Sequence, residues 1–133
     1  MKKILFLMIL SFFVVSISSC GQTDTLPNDI GKLIRSPKGL KEVIDSQDYR
    51  FVIIDVRSPS EYNDGHIPTA INIPGGVLSG IKNPPSKDKY IILYCLVGLR
   101  AEEAGERMLS NGYKYLFNWG GIGNWPYKLE SSK

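Results

Sequence analysis

Two short runs constrain this chain more than anything else in it. Residues 51–56 (FVIIDV) and 90–94 (YIILY) are continuous stretches of β-branched, aliphatic and aromatic side chains, broken only by Asp55. A strand with one wet face alternates apolar and polar residues. These runs do not alternate, so each reads as a strand covered on both faces. Helical patterns lie between and beyond them. That order calls for an α/β fold: a parallel sheet with helices packed on both of its faces.

The remaining elements follow from local signals. Residues 31–35 read as a short first strand. Ser36-Pro37 is an N-cap followed by proline at the first helical position, opening a helix to about Asp45 with Leu40, Val43 and Ile44 inward. Ser58-Pro59-Ser60-Glu61 is a capping box and starts a short helix. Residues 70–73 form a brief strand, and the Gly-, Pro- and Asn-rich residues 75–89 a loop. A helix over about 100–111 places Ala101, Ala104, Met108 and Leu109 on one face, with Gly112 closing it. Residues 115–117 read as a last strand, Gly120-Gly121 as a turn, and residues 122–127 as a final turn of helix.

The N-terminus stands apart. Lys2 and Lys3 precede residues 4–17, an uncharged apolar run too short to span a bilayer as a helix. This is the layout of a secretory signal. Its end, Ile17-Ser18-Ser19-Cys20, resembles the lipobox of bacterial lipoproteins, in which the cysteine is lipidated and the signal is cut before it. The expected organisation is a signal peptide over residues 1–19, lipidated Cys20 with a polar tether over residues 20–30, and a folded domain over residues 31–133. The domain is then held by lipid at the periplasmic or other extracytoplasmic face of the cell envelope. Without Lys2 and Lys3, 14 basic residues face 13 acidic ones, so no basic excess points to nucleic acid. With 43% hydrophobic and 22% charged residues the chain is neither a disordered tail nor, with two cysteines, a disulfide-stapled miniprotein.

With Cys20 lipidated, Cys95 is the one thiol left, and it has no partner for an intramolecular disulfide. It directly follows a buried strand. Ligands bind beyond the carboxyl ends of strands in an open parallel sheet, so Cys95 and the other strand end, Asp55-Val56-Arg57, belong at one rim. The segment Cys95-Leu96-Val97-Gly98-Leu99-Arg100 turns the chain into the next helix. Backbone N–H groups in such a turn form an anion-binding nest; the helix N-terminus and Arg100 add positive charge. All three favour thiolate over thiol.

Three pieces of the chain, IDVRSPSEYNDGHIPTAINIP (residues 54–74), YCLVGLRAEEA (94–104) and NWGGIGNW (118–125), resemble the rhodanese family in order and spacing. The resemblance runs from Ile34 to Tyr127. It implies a five-stranded parallel sheet flanked by helices, and a sulfurtransferase in which the Cys95 thiolate takes the outer sulfur of a donor such as thiosulfate. Sulfite leaves, and an acceptor removes the sulfur from the resulting persulfide. Leu96, Val97, Gly98, Leu99 and Arg100 would form the substrate-binding loop, with Arg100 at the basic position of the family's CxxGxR pattern. The implied partners are a small anionic sulfur donor and a thiol or protein acceptor; no cofactor or metal is called for, and a monomer is expected. The competing reading is a membrane-tethered persulfide carrier or docking module without useful turnover. Cysteine phosphatases need a C-x5-R loop, whereas the arginine here stands at C-x4-R.

Other residues read as structural. His66, the only histidine, matches a turn of the family rather than a base for Cys95, and one histidine with one free cysteine makes no zinc site. Trp119 and Trp125 read as core. Asp55 and Arg57 stand open between an ion pair bracing the strand end and a catalytic role. Thr69, Gly75-Gly76 and Ala101 depart from the family's usual residues. Leu96, Val97 and Leu99 make the loop apolar, which suits a protein-borne or lipophilic thiol acceptor.

Overall fold

The computed structural model describes residues 27–133. The expected signal peptide, the expected lipidation site Cys20 and residues 21–26 of the expected tether lie outside them. Among the described residues no helix is long and apolar enough to cross a membrane.

The chain opens with helix α1 (Asn28–Arg35) and helix α2 (Pro37–Asp45), then strand β1 (Phe51–Asp55), the short helix α3 (Pro59–Asp64) and the two-residue strand β2 (Ile71–Asn72). A 3-10 turn at Pro74–Gly76 and a loop lead to strand β3 (Tyr90–Cys95), helix α4 (Leu99–Ser110), strand β4 (Leu116–Gly121) and a last 3-10 turn at Ile122–Asn124. The strands form one sheet in the order β2-β1-β3-β4, and every pairing is parallel. β1 and β3 lie in the middle, in unbroken register from Phe51 against Tyr90 to Asp55 against Tyr94.

This arrangement explains the two apolar runs. Ile53, Ile92 and Tyr94 point to one face, where they meet Ile34 of α1, Leu40 and Val43 of α2, Trp119 and Trp125. Ile54, Ile91, Leu93 and Cys95 point to the other, against Ala101, Ala104 and Met108 of α4. Successive strand residues alternate between two separate cores, so both must be apolar.

The sheet has four strands among the described residues, not five. The segment expected as the first strand, 31–35, is the C-terminal part of α1. Ile30 and Ile34, four residues apart, both pack into the core, which is helical rather than strand spacing. Asp29 in the first turn and Lys32 and Arg35 in the last complement the helix dipole. Asn28 and Asp29 of the expected tether are therefore helical. β4 is longer than expected. Its register shifts against β3 between Leu93 and Tyr94, which pair with Asn118 and Gly120, so Trp119 is the extra residue of a bulge. Gly120-Gly121 is thus the end of a strand rather than a turn. Leu109, expected on the inner face of α4, is half exposed, while Met108 beside it is fully buried. The final turn spans three residues only.

Both caps read from the sequence are present. Ser36 Oγ accepts from Gly39 N at 3.0 Å. Ser58 Oγ accepts from Glu61 N at 3.3 Å, and Glu61 Oε2 accepts from Ser58 N at 2.9 Å. Trp119 docks α1 on the sheet: its indole Nε1 donates to the carbonyl of buried Ile34 at 2.9 Å. Replacing Trp119 with Phe keeps most of the ring and removes this bond, which should cost about 1–3 kcal/mol. A shift in the urea midpoint measures it; an unchanged midpoint would mean that α1 is not anchored there.

Candidate active site

The strand order reverses between β1 and β3: the chain leaves β1 for β2 on one side, then returns to lay β3 on the other. The crevice at the carboxyl ends of such a strand pair is where an open parallel sheet binds ligands. Asp55 and Cys95 end the two strands there.

Cys95 is completely buried, yet held by polar groups. The chain passes from the end of β3 into α4 through Leu96, Val97 and Gly98 only. Gly98, the residue before the helix, has φ +101°, a conformation that L side chains rarely adopt. That dihedral aims its N–H back at Cys95 Sγ, 3.0 Å away. Burial pushes the Cys95 thiol up and is the largest single effect on it. The N–H groups of Ala101, Gly98, Val97 and Arg100 together outweigh burial, and the thiol lies below its ordinary range. Main-chain donors at a helix N-terminus thus favour the thiolate form of the sulfur.

β4 braces this turn from the side. A Cβ on Gly121 would lie 2.3 Å from the Leu96 carbonyl oxygen, so the loop rests directly on the strand backbone. Asn118 Nδ2 donates to the Gly98 carbonyl at 3.0 Å, while its Oδ1 accepts from Gly120 N at 2.9 Å. Asn118 and Gly121 are site residues that reasoning from the chain's pattern missed. The signal available was the NWGG piece, whose contact with the loop becomes visible only once β4 is bulged and paired.

The other loop residues separate by role. Leu96, Val97 and Leu99 are exposed, the last two by 72% and 67%, and form an apolar rim. Arg100 does not reach freely into solvent. Its Nη1 and Nη2 donate to Oε2 and Oε1 of Glu61, both at 2.9 Å. The Arg100 guanidinium and the Ser58 N–H hold the Glu61 carboxyl down at about 2. The pair contributes fully above the ordinary Glu range and is lost only as pH falls through that value. Glu61 also caps α3, so the capping box of one helix is tied to the start of another, next to the Cys95 loop.

Asp55 and Arg57 form a buried pair. Arg57 Nε lies 3.0 Å from both Asp55 oxygens, and Nη2 lies 2.6 Å from Oδ2 and 2.7 Å from the Gly65 carbonyl. Asn72 Nδ2 ties the backbone carbonyls of Asp55 and Arg57 together. Arg57 also stands over the Tyr94 ring, whose hydroxyl accepts from Ile67 N. Each group is spent on the strand end and the following turn, which is a bracing role. His66 stacks on Tyr62 at 3.8 Å, and its Nδ1 lies 2.9 Å from the Tyr62 carbonyl. Its backbone bridges Glu130, so it is part of a turn and not a base in the Cys95 loop. A cavity of about 330 Å³ at the N-terminal half of β1, lined by Val43, Phe51 and Thr69 among others, holds no thiol or imidazole.

Two outcomes test this construction. Arg57→Ala leaves Asp55 buried and unpaired and should cost about 3–5 kcal/mol in chemical denaturation. Gly121→Ala should displace the Leu96 carbonyl and disturb the amide cradle, so that Cys95 is alkylated by iodoacetamide more slowly at neutral pH. Alkylation at the wild-type rate would show that β4 does not shape the loop.

The rhodanese-like domain family matches residues 36–127. An uncharacterised protein of Bacillus subtilis (strain 168), YqhL, is 38% identical over 82 residues, which are 61% of this chain and 65% of that protein. The tRNA uridine(34) hydroxylase of Yersinia enterocolitica is 32% identical over 98 residues, 69% of this chain but only 27% of the hydroxylase. The chain thus spans less than two thirds of either relative. Among solved structures, the single-domain sulfurtransferase RDL2 of Saccharomyces cerevisiae superposes with a TM-score of 0.57 at 28% identity, covering 68% of this chain and 85% of that one.

Proposed function

The chain belongs to the rhodanese-like domain family, and from that premise we propose that it is a sulfurtransferase moving sulfane sulfur from a donor such as thiosulfate to a thiophilic acceptor through a persulfide on Cys95. The observation that carries this reading is the cradle: a buried sulfur at a strand end, 3.0 Å from the Gly98 N–H and stabilised as an anion by four backbone amides. The sulfurtransferase name of the yeast structural neighbour supports it.

The chemistry balances without any further group. Cys95 thiolate attacks the outer sulfur of thiosulfate. The sulfur–sulfur bond of the donor breaks, and sulfite leaves with the electron pair. The charge that remains on the new terminal sulfur is the kind of anion the amides are arranged to hold. A nucleophilic acceptor, such as cyanide or a thiolate, then attacks that terminal sulfur and returns Cys95 to thiolate. Leu96–Arg100 form the binding loop in this scheme. The same proposal takes the domain as a monomer without nucleic-acid partner, exported and held to the cell envelope by lipid on Cys20, with the signal over residues 1–19 removed.

Mixed with thiosulfate and cyanide, residues 27–133 should release thiocyanate and gain one sulfur in mass, and Cys95→Ser should reduce both to background. A stable persulfide without turnover would favour the carrier reading; neither signal in folded protein would overturn the proposal. The lowered thiol also sets the pH dependence. Thiolate fraction rises with pH and levels off above the thiol's value, so the midpoint of iodoacetamide labelling of Cys95 against pH should lie below that of an ordinary cysteine thiol.

A further inference from the structure

The ion pair beside the Cys95 loop bears on which donor this site accepts. Arg100 is the loop's one cationic side chain, and an anionic donor would be drawn to it. Its two terminal nitrogens each nevertheless donate to Glu61, at 2.9 Å, in a bidentate pairing that offsets its charge. Glu61 is not a loose surface partner. Its Oε2 also accepts from Ser58 N, and its own N–H donates to Ser58 Oγ, so the carboxylate is fixed by the cap of α3. Backbone amides are the main donors to the sulfur, and the larger electrostatic partner of Arg100 is Glu61 rather than Cys95. Besides Arg100, whose charge Glu61 pairs, the exposed side chains of the loop are Leu96, Val97 and Leu99. The entrance is therefore apolar and close to neutral, although the loop contains an arginine.

We propose that Glu61 is a specificity-determining residue: by pairing both terminal nitrogens of Arg100 and offsetting its charge, it turns the Cys95 site away from free dianionic donors such as thiosulfate and toward persulfides borne on an uncharged, apolar carrier. This rests on the sulfurtransferase reading and names the substrate class of that same site. With such a donor, Cys95 thiolate attacks the outer sulfur of R–S–SH. The bond between the two donor sulfurs breaks, the carrier leaves as the thiolate R–S⁻ with the electron pair, and the transferred sulfur keeps its proton. Thiosulfate brings two negative charges to the entrance; the carrier-borne persulfide brings one at most. Glu61 touches neither the donor nor the sulfur and acts through Arg100, so it is a positioning residue.

A charge cycle tests this. Glu61→Gln keeps the capping box, because glutamine also serves at that position, and frees the Arg100 charge. Arg100→Gln instead leaves the Glu61 charge bare, and the double variant restores the balance of charge. The KM for thiosulfate should fall about fivefold in Glu61→Gln, rise by a similar factor in Arg100→Gln, and return to within about twofold of wild type in the double variant, the scale expected for a partly exposed ion pair. The fall in Glu61→Gln should shrink as salt is added. With an uncharged alkyl persulfide as donor the spread across the four proteins should be smaller, so the ratio of kcat/KM for thiosulfate to that for alkyl persulfide should be highest in Glu61→Gln. An effect of Glu61 on folding alone would lower kcat for both donors without this ordering by charge. An unchanged or higher thiosulfate KM in folded Glu61→Gln overturns the inference while leaving the sulfurtransferase intact. No Cys95 persulfide from either donor in wild-type protein overturns the sulfurtransferase reading itself.

Discussion

The buried parallel pairing of β1 with β3 is the constraint on which the rest of the molecule depends. Its five paired positions, from Phe51–Tyr90 to Asp55–Tyr94, force successive side chains into two different cores. They also bring the ends of two strands that are distant in sequence to one rim. The Asp55–Arg57 pair stiffens one strand end, and the other delivers Cys95 into the turn before α4. A slip of one residue would exchange the two faces and carry Cys95 to the wrong side of the sheet. The site's position is therefore a consequence of hydrophobic register.

Within that frame the Cys95 loop is built mainly from backbone. Desolvation of the sulfur works against the anion, and only the convergence of several amides reverses it. Such convergence needs a tight turn, and the turn in turn needs support. Gly98 supplies the dihedral, while Asn118 and the bare backbone of Gly121 supply the wall. Side-chain charge has a separate task. Glu61 and Arg100 join the start of α3 to the start of α4 beside the sulfur.

Much of this was legible in the chain's pattern. The two covered strands, the Ser36 and Ser58 caps, and the inward Ala101, Ala104 and Met108 follow from local periodicity and cap chemistry, and the core roles of Trp119 and Trp125 from their size and apolarity. The departures share a physical cause. The 31–35 segment looks like a strand only while Ile30 is left out of the window; with it, the four-residue spacing to Ile34 is helical. Leu109 follows Met108 by a turn of about 100° around the helix, enough to carry it out of the core. Gly120-Gly121 has turn composition, but its conformation is dictated by a bulge at Trp119, and nothing local announces a bulge. Arg100 reads as a free cation because its partner lies 39 positions away.

What the sequence by itself determined is the class of fold, the order of most elements, the thiol and the loop that surrounds it. These depend on patterns spanning a few residues, where covalent geometry and burial leave few choices. Tertiary structure alone decided that the sheet has four strands among the described residues, that β4 walls the loop, and that Glu61 occupies Arg100. Each is a meeting of segments far apart along the chain, and which side chains meet is settled by register and packing, quantities that exist only once the whole sheet has closed.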